Sequence, residues 1–309
     1  MDLDLEWTSH PNNPLIQPVF PGWLLGDPVV LPAEDAPDGV WHMFLNTVLW
    51  VYHYTSPDGI RWRRGERVCR GMRPFLYQEG RGFFLLYEVY YTPRRSVMMA
   101  RASADLRNWG APVRILTPEL DWEKVVTRTV SCPCLVRDAG AYRLYYSAGS
   151  VFLRDLGFCE PLYIGCAESD SLWGPYRKRP EPLIGPEPGH PYRNRGAGAI
   201  KVYRDEANRR WVGFNNGIYR DEQSRSRSAV LIVTSEDGLE WKEPFAEPVL
   251  RPTQGWKRAL VYQLSMVKRP GGEVWLYYNA RDGWRFGKER VGLEIGRPRR
   301  AAGRQSGGA

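Results

Sequence analysis

The sequence predicts an all-β protein, a five-bladed β-propeller with four antiparallel strands in each blade. Three observations carry that prediction: a turn motif recurs, a fixed order of apolar runs recurs around it, and the N-terminus completes the last copy. The motif is Ser56-Pro57-Asp58-Gly59-Ile60-Arg61-Trp62, repeated as Ser235-Glu236-Asp237-Gly238-Leu239-Glu240-Trp241. Weaker copies are Ser103-Ala104-Asp105-Leu106-Arg107-Asn108-Trp109 and Ser169-Asp170-Ser171-Leu172-Trp173. Gly accepts positive φ and Asp bonds its own backbone, so each copy reads as a turn between two short strands.

The elements follow in chain order. The first unit is Pro28–Leu31, Trp41–Leu45, Val51–Thr55 and Trp62–Val68. The second is Pro74–Tyr77, Phe83–Val89, Val97–Ala102 and Trp109–Leu116. The third is Pro133–Val136, Tyr142–Ser147, Tyr163–Ala167 and Tyr176–Ile184. The fourth is Ala199–Tyr203, Trp211–Phe214, Val230–Thr234 and Trp241–Leu250. The fifth has only Leu264–Lys268, Val274–Tyr278 and Val291–Ile295. Four strands repeated radially describe propeller blades. Trp7–Ile16 reads like the run from Trp241 to Leu250, so the N-terminal strand is expected to close the last blade and remove its open edge.

Composition agrees with this and narrows function little. The 309 residues carry 13 Trp, 17 Tyr and 25 Pro, which suits a protein of sheets and turns. No linker or low-complexity tract divides the chain, so residues 1–300 are expected to form one domain and 301–309 a flexible tail. The acidic start lacks an apolar signal region and no run approaches a membrane span. Five cysteines without a disulfide-like framework point to a reducing cytoplasm. The net charge of +8 raises nucleic acid as a partner, but Asp and Glu are interspersed with the Arg, so a solvated surface is the reading adopted. Neither nucleic acid nor membrane is expected as a partner.

Propeller geometry locates the chemistry. Starts of first strands, ends of second strands and the loops after them converge on one face around the axis. That collects Asp27, Arg73, Cys132, Gly196–Gly198 and Gln263, with Asn46, Trp50, Glu88, Tyr90, Ser147, Arg154, Asp155, Glu160, Asn215, Asn216, Tyr219, Arg281 and Asp282. The Asp-Gly turns fall at the opposite face and are structural.

Asn13-Pro14-Leu15-Ile16, Gly26-Asp27-Pro28-Val29-Val30 and Tyr54–Trp62 resemble the five-bladed propeller glycosidases, glycoside hydrolase family 43 in flavour, over about residues 5 to 297. The resemblance implies a small carbohydrate or glycoside ligand. It also implies a general-base Asp opening the first blade, an orienting Asp opening the third and an acid Glu opening the fourth. Asp27 matches the first role. Cys132 stands where the second Asp would be, and Arg195-Gly196-Ala197-Gly198-Ala199 holds no Glu.

The acid is therefore expected at a different strand end. Glu88 is the first choice because its aromatic neighbours would raise its pKa; Asp155, Glu160 and Asp282 rank behind it. The bland alternatives are a paired blade-edge carboxylate for Glu88 and a turn cap for Asp27. Arg73, Arg193 and Arg195 make an anion fork if two of them reach the axis, which would favour an acidic sugar; alternatively Arg73 pairs with Asp27.

The remaining substrate-binding candidates are Asn46, Trp50, Tyr90, Cys132, Asn215, Gln263 and Arg281, with Trp23, Tyr219, Trp256 and Trp284 as further stacking aromatics. Cys132 and Cys134 are read as small filler, since no His or Cys pair completes a zinc set. The lone His190 is read as solvated or capping. No cofactor is expected, with a central metal ion left open. The alternative to a glycosidase is a non-hydrolytic propeller that binds glycan or runs other acid/base chemistry in the same funnel.

Overall fold

The computed structural model describes residues 3–299; the tail expected at 301–309 lies outside them. β1 (Leu5–Ser9) belongs to the last blade. The first blade is β2 (Gly26–Leu31), β3 (Trp41–Asn46), β4 (Trp50–Ser56) and β5 (Arg63–Arg70). The second is β6 (Met72–Glu79), β7 (Gly82–Thr92), β8 (Arg95–Ser103) and β9 (Val113–Leu116). The third is β10 (Val130–Asp138), β11 (Ala141–Leu153), β12 (Phe158–Ser169) and β13 (Arg177–Lys178). The fourth is β14 (Gly196–Asp205), β15 (Arg210–Arg220) and β16 (Ser226–Ser235). The fifth is β17 (Leu260–Lys268), β18 (Val274–Arg281) and β19 (Glu289–Pro298), completed by β1. Among the described residues there is no α-helix, so no helix is long and apolar enough to cross a membrane.

Outer strands depart from expectation in the last three blades. The third blade's, expected over Tyr176–Ile184, pairs only at Arg177–Lys178 and where Ile184 bridges Ile164. The fourth blade's, expected over Trp241–Leu250, is reduced to bridges pairing Thr234 with Lys242 and Val230 with Leu250. Pro244 and Pro248 lie inside that run and have no N–H to give a ladder. Closure of the ring is as expected in kind but shifted in extent. β1 pairs with β19 from Leu5 opposite Pro298 to Ser9 opposite Glu294, and Ile16 returns to bridge Val291. The residues between form a loop.

The core is not central. Its main part lies in five layers between blades, which join the first blade to the second, each blade to the next, and the fifth back to the first; a smaller cluster of Leu153, Leu156, Ile218, Ala259 and Leu260 links the third, fourth and fifth blades. Inner strands are covered on both faces, which is why Phe83–Tyr87 and Val230–Val233 are continuous apolar runs rather than alternating ones. The Asp-Gly turns lock the layers. Asp58 Oδ1 accepts from the backbone N–H of Ile60 and Arg61 at 3.0 and 2.8 Å. Gly59, at φ +76°, turns its carbonyl to the hydroxyl of Tyr277 in the fifth blade at 2.9 Å. Gly238 likewise accepts from Tyr145 of the third blade at 2.8 Å. The repeated motif is thus an inter-blade clasp.

Candidate active site

Each innermost strand opens with a register shift where it meets the axis: between Gly26 and Val29, Met72 and Phe75, Ser131 and Cys134, Gly196 and Ala199, and Val261 and Leu264. A bulge re-aims a side chain out of the pleat. Asp27, Arg73, Cys132 and Gly198 stand at four of these bulges with φ of 51°, 52°, 50° and 60°. Side chains from neighbouring blades hold them. Asn279 Oδ1 accepts from the Asp27 N–H at 3.0 Å, Asn46 Oδ1 from the Arg73 N–H at 2.8 Å, and Ser147 Oγ donates to the Gly198 carbonyl at 2.7 Å.

These bulges floor a cavity of about 570 Å³ on the axis. Asp27, Asn46, Arg73, Cys132, Gln263 and Arg281, all expected at the site, line it. The others do not. Glu88, fully buried, lies behind the floor in an ion pair with Arg73 and takes the register position held by Asn46 and Ser147 in the flanking blades. Tyr90 sits beside that pair, its hydroxyl 3.5 Å from the guanidinium. Trp50 lies under Arg67 on the outer part of the first blade. Asn215 is consumed in clamping the fourth bulge, its Nδ2 donating to the carbonyls of Ala197 and Ala199 at 2.7 and 3.0 Å. Neither Arg195 nor Arg193, which pairs with Glu187 and Glu243, lines the cavity, so the anion fork with Arg73 does not form.

Cys132 lines the cavity while Cys134 turns away, its sulfur accepting from the Val202 N–H at 3.2 Å. The bulge between them breaks the alternation that would have put both thiols on one face. Burial pushes the Cys132 thiol up to about 11. His190 is held by Glu243 at 3.0 Å, away from the axis. Among the described residues no group of three or more His, Cys, Asp or Glu is arranged to hold a metal.

Two acids come to the cavity from third strands: Glu160 at the start of β12 and Glu289 at the start of β19. Burial raises the Glu160 carboxyl to about 7; Arg73 and a hydrogen bond from Tyr262 pull it down, while Glu289 and Asp27 push it up. Burial also raises Glu289 to about 7, although Arg281 lies 3.1 Å from one of its oxygens and Asn279 donates to the other at 3.2 Å. Asp27 is raised by burial too, but Arg73, Lys201 and Asn46 all favour its ionised form. Lys201 lies buried beneath, its Nζ donating to the Pro133 carbonyl at 2.6 Å. Arg73 and burial act on both acids, and the rest differs: Lys201 and Asn46 also favour the ionised form of Asp27, whereas Glu289 and Asp27 oppose that of Glu160.

The fourth blade meets the cavity through Gly198, Ala199 and Asn216, with no side chain at its bulge. At Gly198 a Cβ would run into the Asn216 carbonyl. Gln263 gives the clearest sign of a ligand. It is 4% exposed on the cavity wall, and among the described residues neither its Nε2 nor its Oε1 has a partner. Trp23, half exposed, and Phe286, 92% exposed, flank the mouth.

Fold and cavity together define a five-bladed propeller with a carboxylate-lined axial funnel. No family model and no curated protein matches the chain. Solved structures match it along nearly its whole length. The catalytic domain of a Coprinopsis cinerea GH62 α-L-arabinofuranosidase has a TM-score of 0.70 at 14% identity, over 94% of this chain and 97% of its own. A structure of the GH130 family of mannoside phosphorylases, which contains glycoside hydrolases that target β-1,2 mannosidic linkages in Candida mannan, has 0.69 at 16%, over 96% and 95%. A thermostable family-43 glycoside hydrolase has 0.62 at 13%, over 87% and 88%. At these identities the likeness is one of fold, shared across several glycoside hydrolase families without singling out family 43.

Proposed function

We propose that the protein cleaves a small glycoside in the axial cavity, with Asp27 as general base and Glu160 as general acid. The observation that carries this reading is the pair of unlike carboxyl environments on one cavity wall. Such divergence separates an acid from a base at neutral pH. Glu160, near 7, keeps its proton for a substantial part of the time at neutral pH. It gives that proton to the glycosidic oxygen as the bond from that oxygen to the anomeric carbon breaks. Asp27 takes a proton from water, whose oxygen bonds the anomeric carbon. The carboxylates around the axis favour the positive charge that develops on the sugar. Gln263, able to donate and accept, reads ring hydroxyls, and Trp23 offers an apolar face to the ring.

The cavity lies within the range of about 300–1,000 Å³ usual for small-ligand sites. The test is turnover of a panel of aryl glycosides by wild type, Asp27→Asn and Glu160→Gln. Each variant is expected to lose about 10²–10⁴-fold in rate. Glu160→Gln should lose far less on 2,4-dinitrophenyl glycosides, whose leaving group needs no proton. Full activity in either variant removes its assignment. Binding of panel sugars by wild type without any turnover would leave the glycan-binding alternative standing.

A further inference from the structure

The funnel is acidic at its floor and cationic at its mouth. The mouth is built by residues 282–288, between β18 and β19, and opens beside the cavity into a second hollow of about 790 Å³. Trp23, Arg281, Arg285 and Phe286 line both. Among the described residues the only carboxylate lining the hollow is Asp282, and it is already engaged: Arg290 lies 2.7 Å from one of its oxygens and the Lys288 N–H donates to the other at 2.8 Å. Arg281 is engaged as well. It pairs with Glu289 and donates from Nε to the carbonyls of Gly283 and Trp284 at 2.8 and 3.3 Å. Trp284 anchors the loop's other side through Nε1, which donates to the Ser226 carbonyl at 2.8 Å.

The loop is thus tied down at its base, and two cations remain on it. Arg285 and Lys288 are exposed, and no carboxylate among the described residues pairs with either. Beside them the Phe286 ring stands almost fully in solvent. Unpaired cations on an anchored loop, next to an aromatic face, suit an anionic group carried on an apolar or sugar framework.

We propose that this hollow is an anion subsite: the ligand carries a phosphate, sulfate or carboxylate group that stays outside the axial cavity, between Arg285 and Lys288. The inference rests on the reading of the axial cavity as a sugar site. It replaces the anion fork at the axis with one at the mouth.

Binding is measured by calorimetry at constant ionic strength for wild type, the double variant Arg285→Gln/Lys288→Gln, and Glu160→Gln. The probes are inorganic phosphate, inorganic sulfate, glucose, glucose 6-phosphate, glucose 6-sulfate and glucuronate. Wild type is expected to bind the anionic probes in preference to glucose, and the double variant to lose that preference by about tenfold or more. Glu160→Gln should keep it. The ranking among phosphate, sulfate and carboxylate probes identifies the anion. Equal binding of anionic probes by wild type and the double variant overturns the subsite, as does no preference over glucose in wild type. Loss of the preference in the double variant with no cleavage by wild type would leave the subsite standing and overturn only the hydrolytic reading.

Discussion

Replacing Glu160 by Gln should make the protein more stable, and increasingly so as pH rises. A carboxyl that titrates near 4.5 in the unfolded chain and near 7 in the folded one holds its proton more tightly when folded. Its contribution to stability is therefore complete below about 4.5 and declines as pH rises through 7. At about 1.4 kcal/mol per unit, the shift corresponds to about 3 kcal/mol at pH 8, an upper bound for a group that keeps some contact with the cavity. Gln is neutral throughout and its side-chain oxygen still accepts from Tyr262. Urea unfolding of wild type and Glu160→Gln at pH 5 and pH 8 measures the difference directly. The variant should be near wild type at pH 5 and more stable by about 2–3 kcal/mol at pH 8. An equal offset at both pH values, or a less stable variant at pH 8, would refute the argument that burial among carboxylates sets this pKa.

Four further outcomes follow from the same contacts. Glu88→Gln leaves the Arg73 guanidinium without its counter-ion and should cost about 3 kcal/mol in unfolding experiments, with no change in how rate depends on leaving group. Gly198→Ala forces a Cβ against the Asn216 carbonyl at positive φ and should cost about 3 kcal/mol or prevent folding, seen in soluble yield and melting temperature. Tyr145→Phe removes the bond to Gly238 and should cost about 1–2 kcal/mol by chemical denaturation. Burial and the neighbouring His42, 2.7 Å away, hold His53 down to about 4, so its stabilising effect is complete above 6.5 and lost as pH falls to 4; nitrogen NMR should show His53 still neutral at pH 5, and titration near 6.5 would contradict its burial.

The ring was legible because its determinants are local and repeated. Asp-Gly turns, Trp positions and apolar runs recur at each blade, and Trp7–Ile16 has the composition of the strand the fifth unit lacks. From that periodicity alone Asp27, Arg73, Cys132 and Gln263 fall at the axis, and the structure puts all four on the cavity wall. Glu160 was in reach of the same reasoning, as a strand-end residue on the funnel face, but nothing local raised it above Glu88. Glu289 had no such signal, being one carboxylate in a charged run, Lys288-Glu289-Arg290.

What only the tertiary structure decided is which charged groups meet. Whether Glu88 faces the funnel or an arginine depends on the bulge at Arg73, a feature of the neighbouring strand rather than of Glu88's own surroundings in the chain. The pKa near 7 at Glu160 is set by burial, pulled down by Arg73 and Tyr262 and pushed up by Glu289 and Asp27, groups drawn from three other blades. Periodicity along a chain sets which way a side chain points within its own sheet. Electrostatic character is set by distances across the axis, and those exist only once the ring has closed.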